Sequence, residues 1–333
     1  MNDALNKASA LLLNFDPFPE IITSRLVLRK IRDADVNEIF VLRSDPRVIK
    51  YLCRKPANLE EAITFIQKIY VQEKNAESIT WAISYKENPL LIGTICLWNI
   101  SKENHRAEIG IALHPDHQGM GIMHEAAVEV LKYGFRVMKL HSVEGRITPG
   151  NDASIKVLER HNFNREGYFK EDTFYDGNYY DTVVYSLIAP GFREAVIGDI
   201  PELHKLRMSV KENALRNPLY VTEQDYIPFL TVKGRGWVCE SGGEILGFSI
   251  IDTEHNNIWA LFVSPAHEAM GIGKKLQQLM LDWHFSVSNK TLWLGTSPGT
   301  RAERFYELTG WKRAGILENG EVKFEISKED YNL

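Results

Sequence analysis

The sequence predicts an α+β (mixed α/β) chain of two tandem domains, each a mixed, mostly antiparallel sheet flanked by helices. Two observations predict it: a long internal repeat, and consecutive strand-like runs with no helix between them. Arg29, Asp35, Glu38 and Arg43 recur as Arg193, Asp199, Glu202 and Arg207, every pair 164 positions apart. Met120-Gly121-Ile122 returns as Met270-Gly271-Ile272 at a spacing of 150, and Asn162-Phe163 is answered by Gly310-Trp311 at 148. The order of landmarks is kept while the spacing shrinks, as shortened loops would produce. Similar strand-turn-helix patterns explain the Asp-x-x-Glu piece alone, but not three landmarks in one order. Pro190 and Gly191 interrupt a strand-like run at the joint, which places the two domains at residues 20–188 and 191–333.

In the first domain, Leu26 and Leu28 alternate with polar neighbours through residues 25–31, the period of a half-buried strand, and residues 33–43 follow at helical spacing. A second helix is expected over 59–74, then strands at 79–85, 90–98 and 107–113. Residues 125–137 set Ala126, Val130, Leu131 and Gly134 on one helical face. A strand at 141–147, a helix at 153–161 and a hairpin ending near Leu187 complete the domain. The second domain repeats the plan, with a strand at 193–197, helices at 199–211 and 222–230, and strands at 236–240, 245–251 and 258–263. A helix at 274–286, a strand at 291–294, a helix at 301–308 and a hairpin through Ile326 follow.

With 44% apolar and 25% charged residues in 333, the chain has the composition of a globular protein able to bury a core in each domain. A formal charge of -5 gives no broad cationic field, so neither nucleic acid nor an anionic membrane is an expected partner, and cationic amines suit the surface better. Cys53, Cys96 and Cys239 are far apart and lack metal-ligand spacing, which reads as free thiols in a reducing compartment. The apolar run at 10–13 lies between Asp3 and Asp16 with no cleavage site after it, and no stretch reaches the ~20 apolar residues of a membrane span. A soluble cytoplasmic protein is expected.

The chemistry gathers at a loop. The strand from Glu108 to Leu113 runs through Pro115, Gln118, Gly119, Met120 and Gly121 into a helix at Ile122 and Met123. Glycines there let consecutive backbone N–H groups converge at a helix N-terminus, where the dipole favours an anion such as pyrophosphate. A glycine pair before a helix is by itself also an ordinary tight turn. Strand, Pro115, Gln118, Gly121 and helix in this order resemble the GNAT superfamily of acyl-CoA N-acyltransferases, whose loop reads Gln or Arg, two spacers, Gly, one spacer, then Gly or Ala. Met123 stands at the third position, where it is expected to narrow the entry around the phosphates and leave the amides available. Thr23-Ser24-Arg25-Leu26-Val27-Leu28-Arg29, and Asn151-Asp152-Ala153-Ser154 with Leu158 and Phe163, are similar to the RimJ/RimL branch of ribosomal-protein N-acetyltransferases. That likeness spans nearly all of residues 20–188. It implies acetyl-CoA (coenzyme A) as cofactor, held at Leu113 and at Gln118 to Met123, with Asn151 near the pantetheine arm and Ser154 near the thiol. Asn151 and Ser154 are equally suited to capping the helix that begins there.

In the second domain, Gly271 and Gly273 match the pattern, Glu268 replaces Gln or Arg, and Ala269 replaces a glycine. A carboxylate beside a pyrophosphate repels it unless turned outward. Cofactor contacts are nonetheless expected at Val263, Glu268, Ala269, Met270, Gly271, Ile272 and Gly273. The supporting stretch is Thr296 to Ala302 with Phe305-Tyr306 and Gly310-Trp311, which resembles the GNAT helix whose tyrosine faces the CoA sulfur. At the 148 spacing Tyr306 corresponds to Leu158.

Direct acetyl transfer needs a neutral amine, a donor to the developing oxyanion and a proton for the departing thiolate. The resemblance points to a backbone N–H near Leu113 and Val263 for the oxyanion, and to Ser154 or the stronger candidate Tyr306 for the thiolate. An α-amino group of pKa ~7.8 is about a tenth neutral at pH 7, so an N-terminal acceptor needs little base. Glu108 is the candidate base of the first domain, its strand leading straight into the loop, although it reads almost as readily as a solvated strand residue or a partner for Arg106; for the second domain Glu254 and His255 are named only because they lie nearby. His105, His114 and His117 do not make a metal triad, because Pro115 breaks the strand and no carboxylate sits at ligand spacing, so no metal is expected. Trp81, Trp98 and Trp259 read as core or groove wall. The expected activity is acetyl-CoA-dependent N-acetylation of a primary amine on a peptide N-terminus or a small molecule. The alternative keeps one domain catalytic and the other as a CoA-sensing or scaffolding module.

Overall fold

Strand pairing uninterrupted by helices decides the layout. The computed structural model describes residues 10–210, 221–268 and 270–331, and the chain divides into two units between Ala189 and Pro190. The first unit runs β1 (Ile21–Ile22), β2 (Leu26–Lys30), α1 (Val36–Ser44), α2 (Pro46–Ile49), α3 (Leu59–Lys74), β3 (Ile79–Tyr85), β4 (Asn88–Ser101) and β5 (Arg106–Leu113). It continues through α4 (Ile122–Arg136), β6 (Ser142–Ile147), α5 (Asp152–Arg160), β7 (Asn164–Tyr175) and β8 (Asn178–Ile188). Its sheet order is β1-β2-β3-β4-β5-β6-β8-β7, and β5 with β6 is the parallel pair. Successive strand residues point to opposite faces. Accordingly Trp81 packs into a core with Ala126 and Val130 of α4, whereas Ala82 joins Ile39, Leu42 and Ile66 of α1 and α3.

The second unit runs β9 (Gly191–Glu194), α6 (Ile200–Ser209), α7 (Glu223–Thr231), β10 (Gly234–Ser241), β11 (Glu244–Asp252), β12 (Asn257–Val263) and α8 (Ile272–Val287). It ends with β13 (Leu292–Thr296), α9 (Arg301–Leu308), β14 (Lys312–Ile316), β15 (Val322–Ile326) and α10 (Lys328–Tyr331). The sheet order is β14-β15-β13-β12-β11-β10-β9, again with one parallel pair, β12 and β13. Trp237 and Val238 divide two cores in the same alternating way.

The 164-residue repeat turns out to be a folding device. Arg29 grips Asp35 at 2.7 and 2.8 Å, and the same carboxylate accepts the Arg32 amide at 2.8 Å. Arg193 grips Asp199 at 2.8 and 2.9 Å, with the Val196 amide at 2.8 Å. Each carboxylate closes a short 3-10 turn that swings a strand into a helix. For this reason the strand expected at 193–197 stops at Glu194, and residues 197–199 form the turn. The helix expected at 199–211 ends at Ser209, and Lys211 lies outside the described residues. Among the described residues no helix is long and apolar enough to cross a membrane.

Candidate active site

In the first unit, β5 pairs with β6 only from Arg106↔Ser142 to Glu108↔Glu144, after which the two strands part. On its other side β5 stays paired with β4 as far as Leu113↔Gly93, and the His114 amide donates to Ile92 at 2.9 Å. Opposed residues of an antiparallel pair alternate between bonded and non-bonded positions. The bond at His114 therefore turns the backbone of Leu113 away from β4 and into the opening. Gln118 Nε2 takes up the Leu113 carbonyl at 3.1 Å, and the Leu113 N–H faces the gap. The second unit repeats this: β12 meets β13 only at Asn257↔Trp293, and the Ser264 amide bonded to Leu246 at 2.8 Å turns Val263 into its opening.

The loop after β5 ends on Gly121, whose φ of 73 lies in the left-handed region that a side chain rarely adopts. Gly119 has φ 74, and open space surrounds the place a Cβ would take. The first bond of the α4 ladder runs from the Glu125 amide to Gly121 at 3.1 Å, so the Ile122, Met123 and His124 amides precede the ladder at the helix end. Arg25 holds the loop by donating to the Met120 carbonyl at 3.1 Å and to Glu125 at 2.7 Å. Burial works to raise the Glu125 pKa, but hydrogen bonds from Thr23, the Arg25 amide, Ser24 and the Arg25 side chain hold it down at about 2. Glu125 was not singled out in the sequence; the Thr23-Ser24-Arg25 string that it organises was the available signal. Met123 corrects an expectation: its side chain is buried in the core beside Ala126 and Ala127, so it does not narrow the phosphate entry. Met120, by contrast, is exposed.

Glu108 occupies the last paired position before the strands part and is 8% exposed. Burial, reinforced by the charge of Glu144, raises its carboxyl to about 7, against the opposing pull of Arg146 and a hydrogen bond from Asn99. Arg106 pairs with Glu144, which removes it as the ion-pair partner of Glu108. Asn151 caps α5, its Oδ1 accepting the Ser154 amide at 3.3 Å, and Ser154 stands half-buried in the first turn. Leu158 is buried against Gly145, where a Cβ would meet it at 2.7 Å.

In the second unit Gly271 repeats the left-handed cap at φ 76, and the first bond of α8 runs from the Lys275 amide to Gly271 at 3.0 Å. The loop borders a cavity of about 590 Å³ whose wall includes Val263, Glu268, Ile272, Gly273, Arg301 and Tyr306. Met270 packs against the core beneath it, and Ala269 lies outside the described residues. Glu268 makes a two-point ion pair with Arg301, so its charge is matched rather than turned on a phosphate. Tyr306 packs among Phe305, Trp311 and Phe324, and burial pushes its phenol well above the ordinary range. That keeps Tyr306 protonated, as a hydrogen-bond donor.

Glu254 and His255 do not reach the second opening. They sit at the turn entering β12, where Asp252 binds the Glu254 and His255 amides and the His255 ring, and Glu254 pairs with Lys233. Val263 is at the other end of β12, ~20 Å away at ~3.3 Å per strand residue. At the level of Glu108, β12 carries Ile258, which is buried. Of the other residues singled out, His117 bonds Tyr85 at 3.3 Å and His114 accepts the Asp116 amide at 3.3 Å. Trp81 is fully buried, Trp259 stacks on Phe229, and Trp98 is exposed.

Comparison with known proteins agrees with this geometry. The family model described as Acetyltransferase (GNAT) domain matches residues 25–164, and that described as Acetyltransferase (GNAT) family matches residues 200–311. The chain is 33% identical to the uncharacterized N-acetyltransferase YoaA of Bacillus subtilis (strain 168) over 174 residues, 52% of this chain and 98% of the relative. It is 26% identical to the spermidine N(1)-acetyltransferase of Vibrio cholerae over 160 residues, 48% of this chain and 91% of that one. It is 24% identical to the ribosomal protein uS5-alanine N-acetyltransferase of Escherichia coli (strain K12) over 184 residues, 52% and 93% of the two chains. The chain belongs to the GNAT family of acetyltransferases, with one domain of the family in each unit, and it is an N-acetyltransferase of that type. Acetyl-CoA is the cofactor of this family, and the left-handed glycines, the amides ahead of each helix ladder and the side-chain-free space at Gly119 fit its pyrophosphate.

Proposed function

We propose that the first domain, residues 20–188, transfers acetyl to a primary amine, while the second, residues 191–333, holds the same cofactor without a base of its own. The observation that carries this is Glu108: a buried carboxyl held at about 7, at the foot of an opening whose β5 edge presents the Leu113 N–H. Acetyl-CoA, when bound, supplies an activated acetyl thioester. The amides of Gly119, Met120, Gly121, Ile122 and Met123, with Gln118 behind them, hold its pyrophosphate. Asn151 lies along the pantetheine arm. The Leu113 N–H meets the charge that develops on the carbonyl oxygen. Glu108 takes the proton of the incoming ammonium through a chain of waters along the opening, and Ser154 donates to the departing sulfur. In the second domain Val263, Glu268, Ala269, Met270, Gly271, Ile272 and Gly273 hold the cofactor, and Tyr306 donates to its sulfur. Relatives named for spermidine and for a ribosomal-protein alanine support an amine acceptor.

A second reading, in which both domains catalyse, is favoured by Tyr306 lying in the cavity wall. Calorimetric titration with acetyl-CoA tests the shared part of both readings. Two equivalents are expected, and Gly121→Trp is expected to leave one. No binding, or an unchanged pair of sites in Gly121→Trp, contradicts the cofactor assignment.

A further inference from the structure

The stretch from the end of α1 to α3 is basic in an acidic chain: Arg43, Arg47, Lys50, Arg54 and Lys55 against the single acid Asp45. It also crosses the opening of the first unit. On one side Arg47 approaches Asp116, just beyond β5, at 3.7 Å; on the other the Thr148 hydroxyl, just beyond β6, donates to the Tyr51 carbonyl at 2.9 Å. Both edges of the gap are therefore tied to this one segment. Arg54 donates to the Leu42 carbonyl at 3.3 Å, which sets its guanidinium beside the backbone that carries Arg43. Arg43 lies over the Phe65 ring, 3.8 Å from its centre. Cys53, next to Arg54, takes φ 43, a conformation a non-glycine residue holds only where its surroundings impose it.

These two arginines are half-buried, and among the described residues neither makes an ion pair. The Nε of each is buried without a partner. The carboxylate that acts on Arg43, Glu61, is engaged in capping α3, accepting the Asn58 amide at 2.7 Å. Burial, with Arg43 beside it, pushes Arg54 down to about 10. Half-buried cations without counter-charge are destabilising until an anion completes them. Asp45 and Arg47, by contrast, satisfy each other at 2.6 Å.

We propose that Arg43 and Arg54 form an oxyanion site for the acceptor's own carboxylate or phosphate, so that the first domain takes a small amine carrying a negative group. This rests on the acetyl-transfer reading of that domain, and it reverses the cationic acceptor that the whole-chain charge favours. Guanidinium geometry matches either oxyanion through paired N–H donors.

The test uses matched pairs: glycine against glycinamide, and O-phosphoethanolamine against ethanolamine. Each is titrated calorimetrically into the full chain saturated with coenzyme A. At least one anionic member is expected to bind about tenfold or more tighter than its neutral twin, and which one does so identifies the oxyanion. The advantage is expected to collapse in Arg54→Gln and in Arg43→Gln, and to return in part in Arg54→Lys, which keeps the charge. Equal binding of the twins, absence of binding by all four, or an advantage that survives both glutamine substitutions overturns the site. Acetyl-CoA binding to the same preparations separates the two claims. Its loss with the anion preference intact contradicts the transfer reading alone, and its retention without any anion preference contradicts the anion site alone.

Discussion

The two units share a scaffold and differ where chemistry would occur. The first has Glu108, Ser154 and Leu158 around its opening; the second has Ile258, Ala302 and Tyr306 at the matching positions. Both keep a left-handed glycine at the helix cap and a strand that turns one amide into a gap. Cofactor geometry is thus a property of the backbone, which survives side-chain change, whereas the proposed proton transfer rests on a single buried carboxyl. The clamps differ too: Arg25 and Glu125 tie the first loop to β2, while Glu268 and Arg301 tie the second to α9. On the proposed assignment, one scaffold loses a base and keeps a binding site.

The comparison can be broken most forcefully at the paired turns. Arg29 and Asp35 are nearly inaccessible, with 4% and 8% of their side chains exposed, while Arg193 is 38% exposed. Asp35→Ala is expected to destabilise the first unit by about 3 kcal/mol or more, because it strands a buried cation. Asp199→Ala is expected to cost the second about 1 kcal/mol, since water reaches Arg193. Chemical denaturation read separately for each unit checks this, and equal losses contradict the burial argument. The next largest effect concerns the loop clamp. Glu125→Ala is expected to weaken acetyl-CoA at the first site roughly tenfold by freeing Arg25, leaving the second untouched; it removes charge-assisted bonds worth ~1.5 to 3 kcal/mol each at most. Calorimetry with two resolved sites reads it. The smallest effect is acid sensitivity. Glu125 has a depressed pKa, so the stability it contributes is present above its unfolded value near 4.5 and is lost as pH falls towards about 2. The first unit should then unfold more steeply than the second across that window, and Glu125→Gln should remove the difference in an acid titration followed by fluorescence.

Elements with long periodic faces were legible in the sequence, and those set by distant contacts were not. The helix at 59–74 was bounded correctly because Asn58 and Glu61 form a capping box that is written locally. The two-residue β1 and the four-residue α2 were missed, since so few residues show no period. The repeat was visible, but its meaning was not: Arg29 reaches Asp35 only once the turn exists. From the sequence Glu108 reads as a base or, almost as readily, as a solvated strand residue or a partner for Arg106, because only the parallel pairing of β5 and β6 brings Glu144 alongside to take Arg106. The inward side of Met123 and the pairing of Glu268 with Arg301 likewise follow from packing between elements far apart in the chain.

The division of labour between the units is tested most directly by the turnover of Glu108→Gln with saturating acetyl-CoA at pH 8. The raised pKa means the Glu108 carboxyl stabilises the fold below about 4.5 and loses that contribution as pH rises through about 7, so the neutral glutamine keeps the fold at pH 8. A loss of roughly a hundredfold to a thousandfold in acetyl transfer is the predicted result, the usual size of a removed general base. Activity within a few fold of the unsubstituted chain would contradict the account and place the chemistry elsewhere.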